Sequence, residues 1–230
     1  LVSVPRFTPV FQFPTRHVTF LEGVAQPDGT MRFDLARGLD GAPLQIVSSI
    51  DSQRDITDYF PESLPLRANA ARWVPGITLA PGPGVGAHVV YLDVEDDAFN
   101  VYHVSLRRQN GRWSQSPPKM VHASPEGHQF HPVIGADDDG RLHVAWYDDR
   151  RHGPGVWDLW YAWSDDNGRS FHEAIAAPEI FRADHLEGDA ELGEYIGIAC
   201  SGSTAVITCT ATDPGDDGHP SVISLIRVRR

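Results

Sequence analysis

The chain is poor in sulfur, in basic residues and in long apolar runs. Its 230 residues include 2 Cys and 2 Met, and 19 Lys and Arg stand against 31 Asp and Glu, giving a formal net charge of −12. A negative charge of this size disfavours contact with the phosphates of nucleic acid and with anionic membrane surfaces. No segment approaches the roughly 18 apolar residues of a membrane-spanning helix. We therefore expect no nucleic-acid partner and no membrane partner.

The first residues also lack two common features. Residues 1–5 read Leu-Val-Ser-Val-Pro, with no initiator Met and no basic-then-apolar signal sequence. We expect a processed or excised chain.

The two cysteines flank a turn signal, Gly202-Ser203. A two-residue hairpin there would place Cys200 opposite Ala205, and Cys209 would lie four residues further on, roughly 13 Å away at strand rise. A disulfide requires Cα atoms about 4.4–6.8 Å apart. The sequence therefore predicts two buried free thiols.

What the chain does contain is turn formers and aromatic residues. With 21 Gly, 18 Pro and 10% aromatic residues, the composition indicates many short strands joined by turns.

The most informative segment covers residues 164–171. Its pattern is Ser-x-Asp-x-Gly-x-Ser-Phe, carried by Ser164, Asp166, Gly168, Ser170 and Phe171. Ser and Asp side chains can bond backbone N–H groups inside a tight turn, and Gly tolerates a positive φ. We expect a self-braced β-hairpin turn with Phe171 opening the next strand.

This octapeptide resembles the Asp-box of the sialidase-like (BNR-repeat) β-propellers. The run 142–150 before it ends in Trp146-x-Asp148-x-Arg150, as such repeats often do. Residues 193–199 are similar to the Gly-Asp-Tyr-x-Gly-Leu-Ala segment that opens many blades, with Glu194 where Asp is usual. The resemblance covers about 131–213 and implies a propeller fold, with a secreted or periplasmic location.

Weaker copies of this unit flank it at a spacing of about 55–65 residues, which is typical of propellers with four strands per blade. Residues 74–113 form one copy, with a box at 110–113 that has lost its Asp; residues 195–226 form another. We predict an all-β propeller of four-stranded antiparallel blades, about four in this chain, with approximate limits 1–70, 71–125, 126–190 and 191–230. Residues 55–65 could hold a short helix.

Sialidase propellers have six blades, which is more than 230 residues can supply. The chain is either a small closed propeller or part of a larger one that a second chain, self-association or a lost segment completes. An open propeller exposes sheet edges and apolar faces.

The resemblance implies that the Asp-box turn joins the third and fourth strands of its blade, away from the active site. The loops of the opposite face are rich in carboxylates and histidines. A sialidase grips the substrate carboxylate with three arginines and uses a Tyr–Glu pair with an Asp acid/base. For this scheme the chain offers Arg150, Arg151 and Arg182, with Tyr195 beside Glu194. Asp148 and Asp149 complete the candidates for catalysis. The Phe/Tyr-Arg-Ile-Pro motif that supplies one of these arginines is missing.

Other functions remain open. Asp148 and Arg150 could simply stabilise a strand end. A glycosidase or lyase acting on a neutral or acidic polysaccharide is a second enzymatic option. For a glycosidase, two carboxylates about 5–9 Å apart would suffice, and Asp148, Asp149 and Glu194 are the first candidates. Glycan binding without turnover could use Trp157, His152 and Arg151 as substrate contacts. A non-catalytic scaffold or assembly subunit is the alternative class.

Metal binding is weakly indicated. His122, His128 and His131 lack a metal-binding spacing. The Asp-Gly runs at 137–140 and 213–218 could hold Ca²⁺ but do not follow the EF-hand spacing, and such runs are ordinary turn chemistry. We predict no metal site and no obligatory cofactor, with Ca²⁺ as the open alternative.

Overall fold

A computed structural model describes residues 2–5, 17–47, 76–82, 86–182, 196–212 and 221–229. All regular elements in these residues are β-strands, and they form four antiparallel sheets. No helix long and apolar enough to cross a membrane occurs in this part of the chain. The short helix predicted within 55–65 lies outside the described residues.

The first sheet is centred on β2, which pairs with the other three strands. Its strands are β1 (Val2–Pro5), β2 (His17–Ala25), β3 (Met31–Leu35) and β4 (Gln45–Val47). The chain turns between β2 and β3 at Asp28, whose carboxylate accepts hydrogen bonds from Thr30 N and Oγ1 at 3.0 and 2.6 Å.

The second sheet contains the weaker repeat. Its strands are β5 (Thr78–Gly82), β6 (Gly86–Glu95), β7 (Ala98–Gln109), β8 (Arg112–Gln115) and β9 (Lys119–Met120). The short β9 pairs with β7 beyond β8, so this sheet has five strands. The degenerate box is a two-residue turn in which Asn110 and Gly111 have φ of 50° and 76°, the geometry of a type I′ hairpin.

The third sheet matches the blade pattern in full. Its strands are β10 (Gln129–Ala136), β11 (Leu142–Asp148), β12 (Val156–Ser164) and β13 (His172–Arg182), paired in chain order. All seven residues of β11 are buried, because neighbouring sheets cover both of its faces.

The fourth sheet has three described strands, β14 (Gly197–Ser201), β15 (Thr204–Thr212) and β16 (Ser221–Arg229). Cys200 lies opposite Ala205, as predicted, and both cysteines are free thiols. Cys209 is buried, whereas Cys200 is only half-buried, so the prediction of two buried thiols holds for one of them.

The sheets pack face to face in chain order. One apolar core lies between the first and second sheets and includes Phe20, Val89 and Leu106. A second core joins the second, third and fourth sheets. The first strands of neighbouring sheets approach closely, since a Cβ on Gly135 of β10 would lie 2.6 Å from Cys200 Sγ of β14. The predicted all-β fold of antiparallel propeller blades is confirmed.

The Ser164–Phe171 segment forms the predicted braced turn between β12 and β13. Ser164 Oγ donates to Asp166 Oδ1 at 2.8 Å and accepts from Gly168 N at 2.8 Å. Ser170 N and Oγ donate to the Asp166 carboxylate at 2.9 and 2.6 Å. Burial opposes ionisation of Asp166, but the bonds from Ser170 and Ser164 outweigh it and lower its pKa to about 2. We call this end of the third sheet the box rim.

Candidate functional site

The opposite end of the third sheet, which we call the open rim, is where β10 begins, β11 ends, β12 begins and β13 ends. Gln129, Asp148 and Asp158 lie side by side there, since Asp148 is the register partner of both others. Strand alternation therefore separates the open rim from the box rim by the length of the sheet.

Asp148 is the most heavily bonded carboxylate of the open rim. Its Oδ2 accepts from Trp146 Nε1 at 2.9 Å and from Arg150 Nε and Nη2 at 2.8 and 2.5 Å. Its Oδ1 accepts from Arg150 N at 2.9 Å. Asp148 is fully buried, so this two-pronged pair with Arg150 compensates its charge inside the protein.

Arg150 is held by three partners at once. Besides Asp148, its Nη1 donates to Glu173 Oε1 at 3.1 Å, and its Cζ lies 4.1 Å from the centre of the Trp160 ring. Only 8% of its side chain is exposed. The Trp146-x-Asp148-x-Arg150 motif thus has the geometry of the structural alternative, in which these residues stabilise a strand end.

Asp149 is also fully buried, with a different environment. Its Oδ1 accepts from His128 N at 2.6 Å, while Oδ2 has no hydrogen-bond partner among the residues that the structure describes. Gly127 packs so closely that a Cβ there would lie 2.5 Å from Asp149 Oδ1. Burial raises the pKa of Asp149 to about 6, and the nearby Asp148 charge adds to the shift.

Asp158, which the sequence analysis did not select, organises the exposed part of the open rim. Its Oδ1 accepts from Glu179 N at 2.7 Å and contacts His152 Nε2 at 3.2 Å, while its Oδ2 accepts from Arg151 Nη1 at 3.1 Å. The Asp158 side chain is fully buried. It therefore fixes the loop that carries Arg151 and His152 against β13 at Glu179.

The bond to Glu179 holds an irregularity in β13. The register with β12 shifts on both sides of Leu159, and Glu179 has a φ of 47°. A bulge of this kind re-aims the residues that follow it. Beyond it, Arg182 lies opposite Val156 and its Nη1 donates to Glu179 Oε2 at 2.7 Å.

Two guanidinium groups of the open rim reach solvent. The side chain of Arg151 is 42% exposed and that of Arg182 is 33% exposed. His152 lies beside them with 22% of its side chain exposed. The Asp158 network thus brings Arg151 and His152 together, with Arg182 at the same end of the β12–β13 pair.

Trp157 lies in the apolar core and not at the surface of the open rim. It is fully buried, and its ring packs against Phe130 and Phe181 at centroid distances of 5.6 and 5.4 Å. Both neighbours belong to the same apolar core. The role of Trp157 as a substrate contact stays a prediction, and its side chain is buried in this structure.

The histidines near the open rim bond the backbone. His122 Nε2 accepts from Val101 N at 3.2 Å and its Nδ1 contacts Ser124 O at 2.6 Å, while His128 Nδ1 accepts from Phe99 N at 3.3 Å. Burial lowers the pKa of His122 and of His131 to about 4. These rings are therefore neutral at pH 7.

The described residues include no group of three or more His, Cys, Asp or Glu arranged to hold a metal ion. At the Ca²⁺ alternative in 137–140, the Asp137 carboxylate accepts from Asp139 N and Arg141 N and contacts His143 Nε2. It serves as a turn brace there. The other Ca²⁺ alternative, 213–218, lies outside the described residues.

Glu194 and Tyr195 also lie outside the described residues, so their proposed nucleophilic role stays a prediction. Asp158 and Glu179 could have been found only through the bulge that joins them. The sequence signal for it, Pro178 within an otherwise regular strand, is weak.

Comparison with known proteins gives distant structural matches. No protein-family model matches, and no curated protein matches. Among solved structures, a polysaccharide lyase of family PL25, an ulvan lyase, matches with 12% identity and a TM-score of 0.48 over 95% of this chain and 50% of its own. The same kind of enzyme bound to an oligosaccharide of GlcA and Rha3S matches with 13% identity and a TM-score of 0.45 over 66% of this chain and 39% of its own.

A protein of unknown function from Dyadobacter fermentans matches with 14% identity and a TM-score of 0.41 over 68% of this chain and 51% of its own. The chain thus spans about half or less of the length of these structures. With every TM-score below 0.5, the matches decide nothing about the chemistry of the open rim.

Proposed function

We propose that this chain is a carbohydrate-directed propeller protein that binds an acidic polysaccharide at the open rim of its third sheet. The observation that carries the proposal is the pair of solvent-reaching guanidinium groups, Arg151 and Arg182, positioned by the buried Asp158 and the bulge at Glu179. A planar guanidinium pairs with a carboxylate or a sulfate through two parallel hydrogen bonds. A chain with a net charge of −12 needs such local contacts to hold an anion.

Binding without turnover fits the described residues better than hydrolysis. Asp148 and Asp149 are fully buried, and Arg150 is committed to Asp148 and Glu173. A general acid or base must come within hydrogen-bond reach of the bond it cleaves. Sialidase-like hydrolysis therefore depends on Glu194 and Tyr195. If purified chain cleaves a fluorogenic sialoside and Tyr195→Phe abolishes the cleavage, hydrolysis replaces binding as the proposed function.

The binding proposal is tested by calorimetric titration with three polymers: a polyuronate, a sulfated polysaccharide and neutral dextran. The double variant Arg151→Gln/Arg182→Gln should lose at least about tenfold in affinity for the acidic polymers, since each charge-assisted bond contributes about 1.5–3 kcal/mol. Arg169→Gln is the matched control, because Arg169 is an exposed arginine on the box rim. Equal loss in Arg169→Gln, or equal affinity for dextran, would contradict the proposal.

A second candidate function, assembly, is favoured by apolar side chains on the outer faces of the end sheets. Phe33 on β3 is 50% exposed and Ile223 on β16 is 71% exposed. Both sheets are antiparallel and could pack face to face as the inner sheets do, so the partner we propose is a second copy of this chain. Light scattering during size-exclusion chromatography should then show a dimer or larger species that Ile223→Ser dissociates. A monomer at 100 µM would exclude this candidate.

A further inference from the structure

A hydrogen-bonded pair of histidine rings lies between the second and third sheets, far from the open rim. His88 Nδ1 on β6 and His103 Nε2 on β7 are 3.0 Å apart, and the rings stack at a centroid distance of 5.2 Å. Both residues are buried. In such a contact one nitrogen donates its proton and the other accepts, so both rings can be neutral without leaving an unbonded nitrogen between them.

The Asp-box turn of the third sheet closes over this pair. A Cβ on Gly168 would lie inside van der Waals contact with the His103 ring, and the Phe171 ring meets His103 edge-on at 5.4 Å. From the other side, a Cβ on Gly82 of β5 would lie 3.0 Å from His88 Nε2. The rings therefore have little room to move while the turn is docked.

The charged groups acting on the pair are cationic. Arg107 on β7 acts on His88, and Lys119 on β9, the register partner of His103, acts on His103. The Lys119 Nζ also donates to the carbonyl oxygen of Arg169 in the box turn.

The two carboxylates of the turn are engaged elsewhere: Asp165 pairs with Arg141, and Asp166 is bonded to Ser164 and Ser170. Burial, followed by the charges of His88 and Lys119, lowers the pKa of His103 to about 3. Burial, aided by Arg107, lowers the pKa of His88 as well.

We propose that the His88–His103 pair is an acid-sensitive joint: the neutral rings dock the box turn of the third sheet onto the second sheet, and protonation of the rings releases it. One added proton can be shared between the facing nitrogens by a change of tautomer, but it places a third positive charge beside Arg107 and Lys119. A second proton turns both facing nitrogens into donors at 3.0 Å, which removes the hydrogen bond.

The direction of the pH dependence follows from the lowered pKa values. Between the ordinary histidine range near about 6.5 and the folded value, the unfolded chain binds more protons than the folded chain. The stabilisation is therefore complete above about pH 6.5 and is lost as the pH falls toward 3.

The test compares wild type with His88→Asn/His103→Gln, because these amides place a donor or acceptor near Nδ1 and Nε2 and do not titrate. Urea unfolding is measured from pH 7.5 to 4.5. Each histidine that takes up a proton only on unfolding raises the unfolding equilibrium constant by up to about tenfold per pH unit. As the pH falls, the unfolding equilibrium constant of wild type should therefore rise by up to about a hundredfold more per pH unit than that of the double variant. His122 and His131 remain in both proteins, so the difference isolates the pair.

A local measurement separates release of the turn from general acid destabilisation. As the pH is lowered, the amide protection factors at 164–170 should fall at a higher pH than those in β14–β16. This difference should vanish in the double variant. If the double variant does not fold, Lys119→Gln serves instead. It should reduce the slope with which the free energy of unfolding falls in acid, while Arg112→Gln on β8 should leave that slope unchanged. Equal pH slopes in wild type and the variant, or simultaneous exchange at both places, would overturn the proposal.

Discussion

The second and third sheets share one pairing pattern and differ in the charge at their open ends. In each, an aromatic residue faces an aromatic residue across the two middle strands, and an Asp follows two positions later. The corresponding pairs are Tyr91–Tyr102 and Asp93–Asn100 in the second sheet, and Trp146–Trp160 and Asp148–Asp158 in the third.

Two residues beyond that Asp, the two sheets carry different side chains. The third sheet has Arg150, which folds back over Trp160 and seals the strand end against solvent. The second sheet has Glu95, which is exposed and accepts a hydrogen bond from Tyr102 Oη at 2.5 Å. The repeated fold thus fixes the positions of equivalent side chains. The residue at one of these positions, Arg150 or Glu95, decides whether an internal ion pair closes the strand end.

The opposite ends of the two sheets differ in a similar way. The third sheet carries the seven-residue braced turn between β12 and β13, whereas the second has the two-residue turn at Asn110-Gly111. The longer turn reaches a neighbouring sheet through Gly168 and Phe171, whereas a Cβ added at Gly111 of the shorter turn would meet no atom within 4 Å. The loss of the box residues in the second repeat therefore removes an inter-sheet contact as well as a set of local bonds.

The largest expected effect comes from removing the guanidinium group of Arg150 in the third sheet. Arg150→Met should destabilise the fold by about 3–5 kcal/mol, because it leaves the buried Asp148 charge uncompensated. Glu95→Gln, at the equivalent position of the second sheet, should change the free energy of unfolding by less than about 1 kcal/mol. Urea unfolding measures both. Similar losses in the two variants would mean that the two strand ends are not held differently.

The turn glycines give the next comparison. Gly168→Ala should cost about 2–4 kcal/mol, because it combines a positive φ of 79° with a clash against His103. Gly111→Ala has a φ of 76° and no atom within 4 Å of the new Cβ, so it should cost only about 1 kcal/mol. A cost for Gly168→Ala no greater than that for Gly111→Ala would show that the docking onto His103 is absent.

Removing the central carboxylate of the box should have a smaller effect. Asp166→Ala should destabilise the fold by about 1–3 kcal/mol through the lost bonds to Ser164 and Ser170. Asp165→Ala, which removes only an exposed pair with Arg141, is the control and should change little. Polysaccharide affinity should stay the same in both. An unchanged melting temperature in Asp166→Ala would contradict the bracing role.

The last prediction is a gain in stability that appears only at neutral pH. The folded chain holds the Asp149 proton more tightly than the unfolded chain, so stability should decline as the pH rises from about 4 to about 6. Asp149→Asn keeps the acceptor for His128 N and should raise the free energy of unfolding by about 3 kcal/mol at pH 7.5, with little change at pH 4. A gain that is the same at both pH values would mean that Asp149 is ionised in the folded chain throughout.

Local patterns were enough to predict much of the fold. The braced turn at Ser164–Phe171, the alignment of Cys200 with Ala205, and the strands of the third and fourth sheets follow from residues close together in sequence. Contacts between sheets could not be predicted in this way. The fit of Gly168 against His103 joins residues 65 positions apart in separate repeats, and nothing in either repeat alone indicates it.

The open rim was only partly predictable for the same reason. The sequence placed Asp148, Arg151 and His152 at one end of the sheet, because strand alternation fixes that end. It could not show that Arg150 is paired with both Asp148 and Glu173, since Glu173 belongs to the outer strand β13. It also missed Asp158, whose role depends on the bulge opposite it.

Hydrogen exchange of the chain with and without a saturating acidic polysaccharide tests the central claim most directly. The segments that carry Arg151 and Arg182, residues 149–156 and the end of β13 at 177–182, should become protected on binding, while 165–170 on the box rim stays unchanged. Protection confined to 165–170, with none at the open rim, would contradict the assignment of the binding face.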